Sequence, residues 1–562
     1  MIKKILNNES KFIISAALMI GFFSLISRIL GLFRNTIFAS KFGTGDTIDV
    51  YFSAFRIPDL IYNLLIVGAI TAVFIPVFFE YSEKSKKEAL RLTNVVLNVF
   101  VLGVIILAAI VAIFAPQIVS LLVYGFSPEK IQATVDMTRI MLLSPIFLGI
   151  SSILINYLQA NKKFLSFALA PIFYNVGIII GALFFVEKLG VLGIAWGVVL
   201  GAFLHLLIQL PPAWKAGFKY KFSLDIFHPG LRKMLVLAAP RIIGLFAYQA
   251  NFIVITIIGS TLAAGSIAVF NYANDLQYIP IGIFALSFVT AVFPSLSKSY
   301  AQKNMKEFLS KFYSTVNQIL FLVIPVSVFL ILERAQIIRV LYGYGEFSWV
   351  DTRLTAAALG LFALSVFAQS LVPLFSRAFF AMGDSKTPVF INVSSLGLNI
   401  ALSFYFTSLL KSGGAFAANF AEILKVADIP DIAVLGLPLA FSIAGIINLL
   451  WLYFSLSHKI EAFSSNKILY SVNRINIAAF VMVLTVYPVL YFISTLVNMH
   501  TFIGIFLQGA GAFLIGIFAY FSSAYFLKIP EFFAFWEAFT LPIKKMFLSK
   551  SYPSEVNGSE KL

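Results

Sequence analysis

Four charged side chains lie in the middle of long apolar stretches, where an ionised group is costly. Arg28, Arg56, Arg241 and Asp275 each stand about 8 to 12 residues from an end of their stretch. In a helix that crosses a bilayer, a rise of ~1.5 Å per residue places them roughly 15 to 18 Å deep, close to the midplane. An arginine at that depth costs at least ~2.5 kcal/mol unless it faces water or a partner, so all four are candidate functional residues.

The excess of arginine at this level favours an anionic ligand. Arg34 lies one to two turns beyond Arg28, and Asp49 lies near the start of the next apolar stretch. Four arginines against Asp49 and Asp275 leave positive charge unbalanced, and guanidinium binds phosphate oxygens through paired, planar donors. The pattern therefore predicts a site for a diphosphate or another acidic amphiphile. The alternatives are that the arginines only pair internally and lock helices together, and that Asp49 is a helix-start carboxylate near a positive dipole end.

The composition indicates an integral membrane protein. Of the 562 residues, 60% are hydrophobic and 12% are charged, with a mean hydropathy of +0.94, whereas soluble domains carry about 25% charged residues. The chain has no cysteine and only four scattered histidines, so neither a thiolate-bound metal nor a histidine metal motif is predicted. A phosphate-binding Walker loop is also missing from the sequence. We therefore expect neither an enzyme nor a resident metal or cofactor.

Runs of about twenty apolar residues, each long enough to cross a ~30 Å hydrocarbon core as a helix, recur along the chain. We predict an all-α polytopic membrane protein with about fourteen spans. Lys and Arg concentrate in the connections on the side of the N-terminus, so both termini are expected in the cytoplasm, and no nucleic-acid partner is needed to explain the charge. Prolines 58, 76, 280 and 294 predict kinks or hinges in spans two and eight. The predicted spans are 12–41, 46–80, 90–115, 131–159, 165–186, 190–213, 233–261, 265–297, 308–333, 354–381, 387–410, 433–457, 473–497 and 501–527.

The second half of the chain repeats the first. Residues 28–33 (RILGLF) return as residues 241–246 (RIIGLF), and residues 123–125 (VYG) return as 341–343 (LYG). The second half also carries an insertion of about 25 residues at 411–431. Six spans per half give two halves with the same orientation, as in parallel-repeat transporters. We predict an N-terminal lobe (1–220), a C-terminal lobe (221–460), a final helix pair (461–530) and a cytoplasmic, partly disordered tail (531–562).

The motifs around these arginines resemble those of the MurJ (MviN) lipid II flippases of the MOP exporter superfamily. The resemblance is carried by residues 27–43, 49–58, 293–297 and 376–388. It implies fourteen helices in two lobes, with a final pair that forms a groove for the polyprenyl tail of the substrate. It also implies that the chain moves an undecaprenyl-diphosphate-linked peptidoglycan precursor, lipid II, to the outer leaflet of the bacterial cytoplasmic membrane. By position, the residues implied in transport are Arg28, Arg34, Asp49 and Arg56.

Some positions depart from the family pattern. The usual Arg-Asp reads Arg34-Asn35, and the usual Tyr-Ala-Asp-Arg of span eight reads Tyr-Ala-Asn-Asp at 272–275, so that an arginine has become Asp275. Val67 stands where a glutamate is common. Sodium-binding relatives place acids where Ile255 and Ser403 stand here, which counts against a sodium site.

The sequence thus predicts a lipid II flippase that works by alternating access and binds its substrate through Arg28, Arg34, Arg56, Asp49, Arg241 and Asp275. Coupling to the membrane potential or to an ion stays open, as do the exact headgroup and the oligomeric state. Two alternatives remain at this stage. One is an exporter of another polyprenyl-linked glycan or of a drug-like cation. The other is a degenerate transporter that acts as a membrane scaffold.

Overall fold

The computed structural model describes residues 2–71, 73–537 and 540, and their side chains except those of residues 2–18, 69, 240, 241, 243, 244, 247 and 248. Most of the tail predicted at 531–562 therefore lies outside the described residues. Within them the chain is helical and contains no strand. Long apolar runs favour this outcome, because a helix satisfies its own backbone hydrogen bonds in lipid.

The α-helices of the first half are α1 (Ile2–Phe42), α2 (Asp46–Ile61), α3 (Phe74–Lys84), α4 (Lys86–Ile113), α5 (Ala115–Leu122), α6 (Pro128–Met141), α7 (Leu143–Ala160), α8 (Leu165–Ile180), α9 (Val186–Leu189), α10 (Leu192–Leu207) and α11 (Leu210–Lys215). Those that follow are α12 (Pro229–Ser260), α13 (Ser266–Pro280), α14 (Leu286–Ala301), α15 (Met305–Leu332), α16 (Arg334–Tyr342), α17 (Trp349–Ala363), α18 (Val366–Ala381), α19 (Lys386–Lys411), α20 (Ala415–Leu424), α21 (Gly436–Lys459), α22 (Ser465–Leu496) and α23 (Phe502–Phe526). Short π-helical segments lie at Tyr62–Thr71, Gly181–Phe185 and Ile281–Ala285, and a 3₁₀ turn at Ala433–Leu435.

The prediction of an all-α polytopic membrane protein is confirmed, but the count of fourteen spans is not. In the described part of the chain, 12 helical stretches are long and apolar enough to cross a membrane. The pair α17 and α18, bent by 42°, makes a thirteenth. The remaining predicted span, 233–261, corresponds to α12, of which only Gln249–Ser260 counts as a shorter apolar helix.

Near two of the four prolines where kinks or hinges are predicted, Pro58 and Pro280, the helix contains a π-helical segment. The segment Tyr62–Thr71 begins four residues after Pro58, and Ile281–Ala285 begins directly after Pro280. Proline removes a backbone donor and its ring clashes with the preceding turn, so the regular hydrogen-bond ladder is interrupted at both places. Pro76 instead lies in the first turn of α3.

By contacts, the chain divides into two compact units. The first comprises Met1–Asp275, Ile338–Ala358 and Val393–Ala444, and the second comprises Leu276–Ile337, Leu359–Asn392 and Gly445–Leu562. This division does not follow the predicted lobes, because the first unit also takes in residues 221–275, 338–358 and 393–444 of the predicted C-terminal lobe. The lobe boundaries at 220 and 460 stay predictions.

Glycines bring α8 and the π-helical segment that follows it into backbone contact with α10 in the first unit. A Cβ on Gly177 would lie 2.3 Å from the Cα of Gly201, and one on Gly181 would lie 2.3 Å from the Cα of Gly197. Small residues at such an interface let two helices approach closely, and in lipid such helices associate through van der Waals packing rather than through the hydrophobic effect. This packing fixes α8, whose Asn175 reaches α1 and contacts the arginine cluster described next.

Candidate functional site

Arg34 is connected to Asp275 through an asparagine. Its Nη2 and Nε donate to Asn35 Oδ1 at 2.9 and 3.2 Å, and its Nη1 donates to Asn175 Oδ1 at 3.3 Å. The other end of the buried Asn35 amide donates from Nδ2 to Asp275 Oδ2 at 2.9 Å. An amide offers an acceptor to a cation and a donor to an anion, so Asn35 suits this position between the two charges. The structure therefore brings Arg34 and Asp275 together across α1 and α13.

Arg56 is held by neutral groups of the neighbouring helices. Its Nε donates to Thr256 Oγ1 at 3.0 Å, and its Nη2 donates to Asn271 Oδ1 at 2.6 Å. Its guanidinium carbon lies 5.4 Å from the ring centroid of Phe252, within the range of a cation–π contact. These contacts fix the plane of the guanidinium group between α2, α12 and α13.

The structure describes the side chain of Arg28 but not that of Arg241. Arg28 lies on α1 and is exposed, and no hydrogen bond or ion pair joins it to the residues that the structure describes. Arg241 lies on α12, and its side chain falls outside the described residues.

Asp49 does not join the arginine cluster but caps another helix. Its side chain is 1% exposed. Its Oδ2 accepts a hydrogen bond from the backbone N–H of Gly265 at 2.7 Å, and its Oδ1 accepts one from Ala268 at 2.8 Å. These are donors at the start of α13 that have no partner within that helix. The expectation of a positive helix end near Asp49 is met by its own helix, since Asp49 lies in the first turn of α2, and the start of α13 adds a second positive end.

The turns next to Asp49 pack so closely that only glycine fits at several positions. A Cβ on Gly265, whose φ is +87°, would lie 2.0 Å from the carbonyl oxygen of Thr44. A Cβ on Gly345 would lie 2.2 Å from that of Ser40, which also accepts from Glu346 N at 2.9 Å. We call this region, formed by the turns after α1, α12 and α16, the closed end of the first unit.

The two halves of the chain contribute matching contacts to the closed end. Gly345 packs on the carbonyl of Ser40 near the end of α1, and Gly125 packs on the carbonyl of Ser260 at the end of α12, where a Cβ would lie 2.4 Å away. Thr44 adds a hydrogen bond from its Oγ1 to Asp351 Oδ1 at 2.6 Å. The ends of α1 and α12 therefore each lie against a glycine from another turn of the chain.

A family model described as the lipid II flippase MurJ matches residues 38–507. The chain belongs to the MurJ family. Among its relatives, the probable lipid II flippase MurJ of Buchnera aphidicola subsp. Schizaphis graminum is 30% identical over 86% of this chain and 91% of its own length. That of Rickettsia prowazekii is 26% identical over 92% and 98%.

Solved structures agree with the family and extend the fold to a wider superfamily. A lipid II flippase MurJ in an inward closed conformation matches with a TM-score of 0.72 and 28% identity, over 91% of this chain and 99% of that one. An inward-facing MATE multidrug-resistance transporter of the MOP superfamily matches with a TM-score of 0.61 and 15% identity, over 80% and 100%. The second likeness concerns the fold alone. The predicted membership of MurJ and of the MOP superfamily fold is confirmed.

A further carboxylate of this chain, Asp59, lies beside the arginines. Asp59 lies one turn after Arg56 on α2, where its oxygens accept from Gln249 at 3.0 Å and from Asn63 at 2.9 Å. The charge balance taken from the sequence counted Asp49 and Asp275 and left Asp59 out, so the excess of arginine is smaller by one than predicted. Its spacing of three residues from Arg56 was the available signal.

The positions that hold acids in sodium-binding MurJ relatives carry neutral groups here. Asn399 on α19 donates to Asn251 Oδ1 at 2.6 Å, so the residue of α12 that meets it is Asn251, one turn before the predicted Ile255. Ser403 follows one turn later and is buried. Within the described residues no group of three or more His, Cys, Asp or Glu side chains could hold a metal ion.

Proposed function

We propose that this chain moves lipid II from the cytoplasmic to the outer leaflet of the bacterial cytoplasmic membrane by alternating access. The observation that carries the proposal is the placement of Arg28, Arg34 and Arg56 in the membrane-spanning helices α1 and α2 of a MurJ-family fold. Guanidinium groups at such depth are retained for a function, because their desolvation is costly. A diphosphate supplies the charge that they can share.

The three arginines would contribute to diphosphate binding in different ways. Arg28 is exposed and can turn its donors toward an incoming diphosphate. Arg34 and Arg56 are already oriented by amide and hydroxyl groups, so little side-chain entropy is lost when they bind. The hydrogen bonds of Arg34 go to the amide oxygens of Asn35 and Asn175, so a charged diphosphate would compete for its donors with neutral acceptors only.

We place the closed end on the outer side, since the positive-inside rule puts the start of α1 in the cytoplasm. Release of substrate outward would then require α13 to leave the Asp49 carboxylate and the glycine contacts to separate. Re-formation of the same contacts would return the protein to the state described here. A ligand can shift this equilibrium only through a difference in its affinity for the two states.

The tail of the lipid would lie in an apolar pocket of the second unit. This pocket has a volume of about 580 Å³ and is lined by residues of α15, α18, α21 and α22, among them Leu320, Phe367, Leu450 and Ile468. Its walls are suited to a polyprenyl chain, because apolar surface removed from water stabilises by ~25 cal/mol per Å². Of the predicted final helix pair, α22 contributes to the lining.

Flipping of fluorescent lipid II by the purified chain in vesicles tests the proposal. We expect Arg28→Ala and Arg56→Ala to abolish it. Arg91→Ala is the matched control, because this arginine is exposed and pairs with Asp225 at 3.3 Å on the surface. Full activity of both variants would remove the role of the arginines in binding the diphosphate. A parent chain that inserts correctly and does not flip lipid II would favour the scaffold alternative.

A further inference from the structure

The insertion at 411–431 forms a helix that the transport proposal does not use. It contains α20 (Ala415–Leu424), which ends at Lys425 in the left-handed conformation. The helix lies between α19 and the stretch Ala433–Lys459, both of which are long and apolar enough to cross a membrane. It therefore connects two spans at the same membrane surface.

The short linker keeps α20 close to that surface. Three residues separate Lys411, the end of α19, from Ala415, the start of α20. At ~3.5 Å per residue, the first turn of α20 lies within about 14 Å of the end of α19. The polar zone on each side of the hydrocarbon core is about 5–8 Å thick, so α20 is within reach of the lipid headgroups.

One face of α20 is apolar and exposed. Phe416 and Ile423 are 42% and 75% exposed, and the ring of Phe420 stacks on that of Phe416 with centroids 5.7 Å apart. At 3.6 residues per turn these three side chains fall within an arc of about 60°. Ala421 and Glu422 each lie about 130° from the middle of this arc, on its two sides; Ala421 is buried against the protein and Glu422 is exposed. The helix thus has one face for the protein, one that is apolar and one that is polar.

We propose that α20 is an interfacial helix whose Phe416, Phe420 and Ile423 face docks into the lipid at the boundary between headgroups and acyl chains. A helix with separate apolar and polar faces takes this position at a membrane surface. The segment 411–431 carries two lysines and three acidic residues. Apolar burial therefore drives the docking, and attraction to anionic lipids contributes little.

The docked helix is tied to the closed end of the first unit. Asp428, just after α20, accepts hydrogen bonds from both Nη atoms of Arg353 at 2.6 Å each. Arg353 lies in the first turns of α17, next to Asp351, which accepts from Thr44. Lipid contact at α20 therefore holds the start of α17 at a fixed height in the membrane.

Single-cysteine variants give a direct test, because the chain has no cysteine of its own. The full chain with Phe416→Cys or Ile423→Cys carries one nitroxide label, and Glu422→Cys on the polar face is the matched control. Each is placed in phosphatidylcholine vesicles with no other protein. Power-saturation EPR then compares collision with oxygen, which concentrates in lipid, and with a water-soluble nickel chelate.

We expect labels at 416 and 423 to favour oxygen and the label at 422 to favour the nickel chelate. The same preference should persist when phosphatidylglycerol is added. Labels at 416 and 423 that favour the nickel chelate would overturn the proposal and leave this face for a protein partner. Labels that neither reagent reaches would also overturn it, because the protein itself would then cover the face.

Discussion

Asp49→Asn should weaken the closed end, because the Asp49 carboxylate is the acceptor for two backbone donors of α13. The N–H groups of Gly265 and Ala268 reach its two oxygens at 2.7 and 2.8 Å, in a buried place. Asparagine keeps one acceptor and turns an NH₂ group toward the other donor. A hydrogen bond to a charged acceptor contributes about 1.5–3 kcal/mol. The ratio of closed to open molecules should therefore fall roughly 10- to 150-fold.

A distance across the closed end measures this change. Thr47→Cys in the first turn of α2 and Ala264→Cys in the turn before α13 place one nitroxide label on each side of the Asp49 contact. Pulsed EPR on the chain in vesicles should give one short distance for the doubly labelled parent. Asp49→Asn should add a longer distance, with a population set by the loss of the hydrogen bond.

A charge-matched variant controls for the loss of a carboxylate in this turn. Asp46 is exposed and pairs with Lys130, so Asp46→Asn changes the same charge without touching α13. We expect its distance distribution to equal that of the parent. If Asp49→Asn gives the same distribution as Asp46→Asn while both remain folded, the capping carboxylate does not hold the closed end.

Two further variants test packing and surface charge. Gly177→Leu should destabilise the first unit by about 1–3 kcal/mol, because its side chain would overlap the backbone of Gly201. The thermal unfolding midpoint measures this loss. The control is Gly103→Leu, whose side chain meets open space and should leave the midpoint unchanged. Burial alone would raise the pKa of Asp384, but hydrogen bonds, led by that from Lys459, hold it at about 2. The folded pKa is below the unfolded value of about 3.9, so this stability is present above about pH 4 and is lost toward pH 2. Asp384→Asn should make the thermal unfolding midpoint less dependent on pH over that range.

The sequence predicts the helices well, because crossing lipid imposes a length and a composition that few other structures require. The runs that became α4, α15 and α22 could be read directly. The span predicted at 233–261 stays a prediction, because several side chains of α12 lie outside the described residues. The division into units could not be foreseen, because it depends on contacts between segments that are far apart in the sequence.

The site was predictable in its charges and not in its neutral groups. Arg28, Arg34 and Arg56 stand out because guanidinium is rare in lipid. Asn175 and Asn271 bind two of these arginines. An uncharged amide costs less than an arginine within an apolar span, so nothing in the sequence marked these asparagines as partners. The role of Asp49 was also hidden, since its partners are backbone groups more than 200 residues away.

The contact between Asn35 on α1 and Asp275 on α13 can be tested by substituting its two residues. Asn35 and Asp275 both depart from the family pattern, which has an aspartate and an arginine there, and the structure shows that the two side chains touch at 2.9 Å. The two departing positions therefore meet at one contact. Asn35→Asp alone would set two carboxylates at hydrogen-bond distance, where both cannot stay ionised.

We expect that single variant to lose flipping of lipid II in vesicles. Asp275→Arg alone should lose it too, because a second guanidinium would approach Arg34 without its amide-linked carboxylate. Together the two substitutions restore a complementary pair, so the double variant should recover activity well beyond the product of the two single effects. If the losses simply multiply, the contact does not couple these positions, and Asp275 must act on the substrate independently of Asn35.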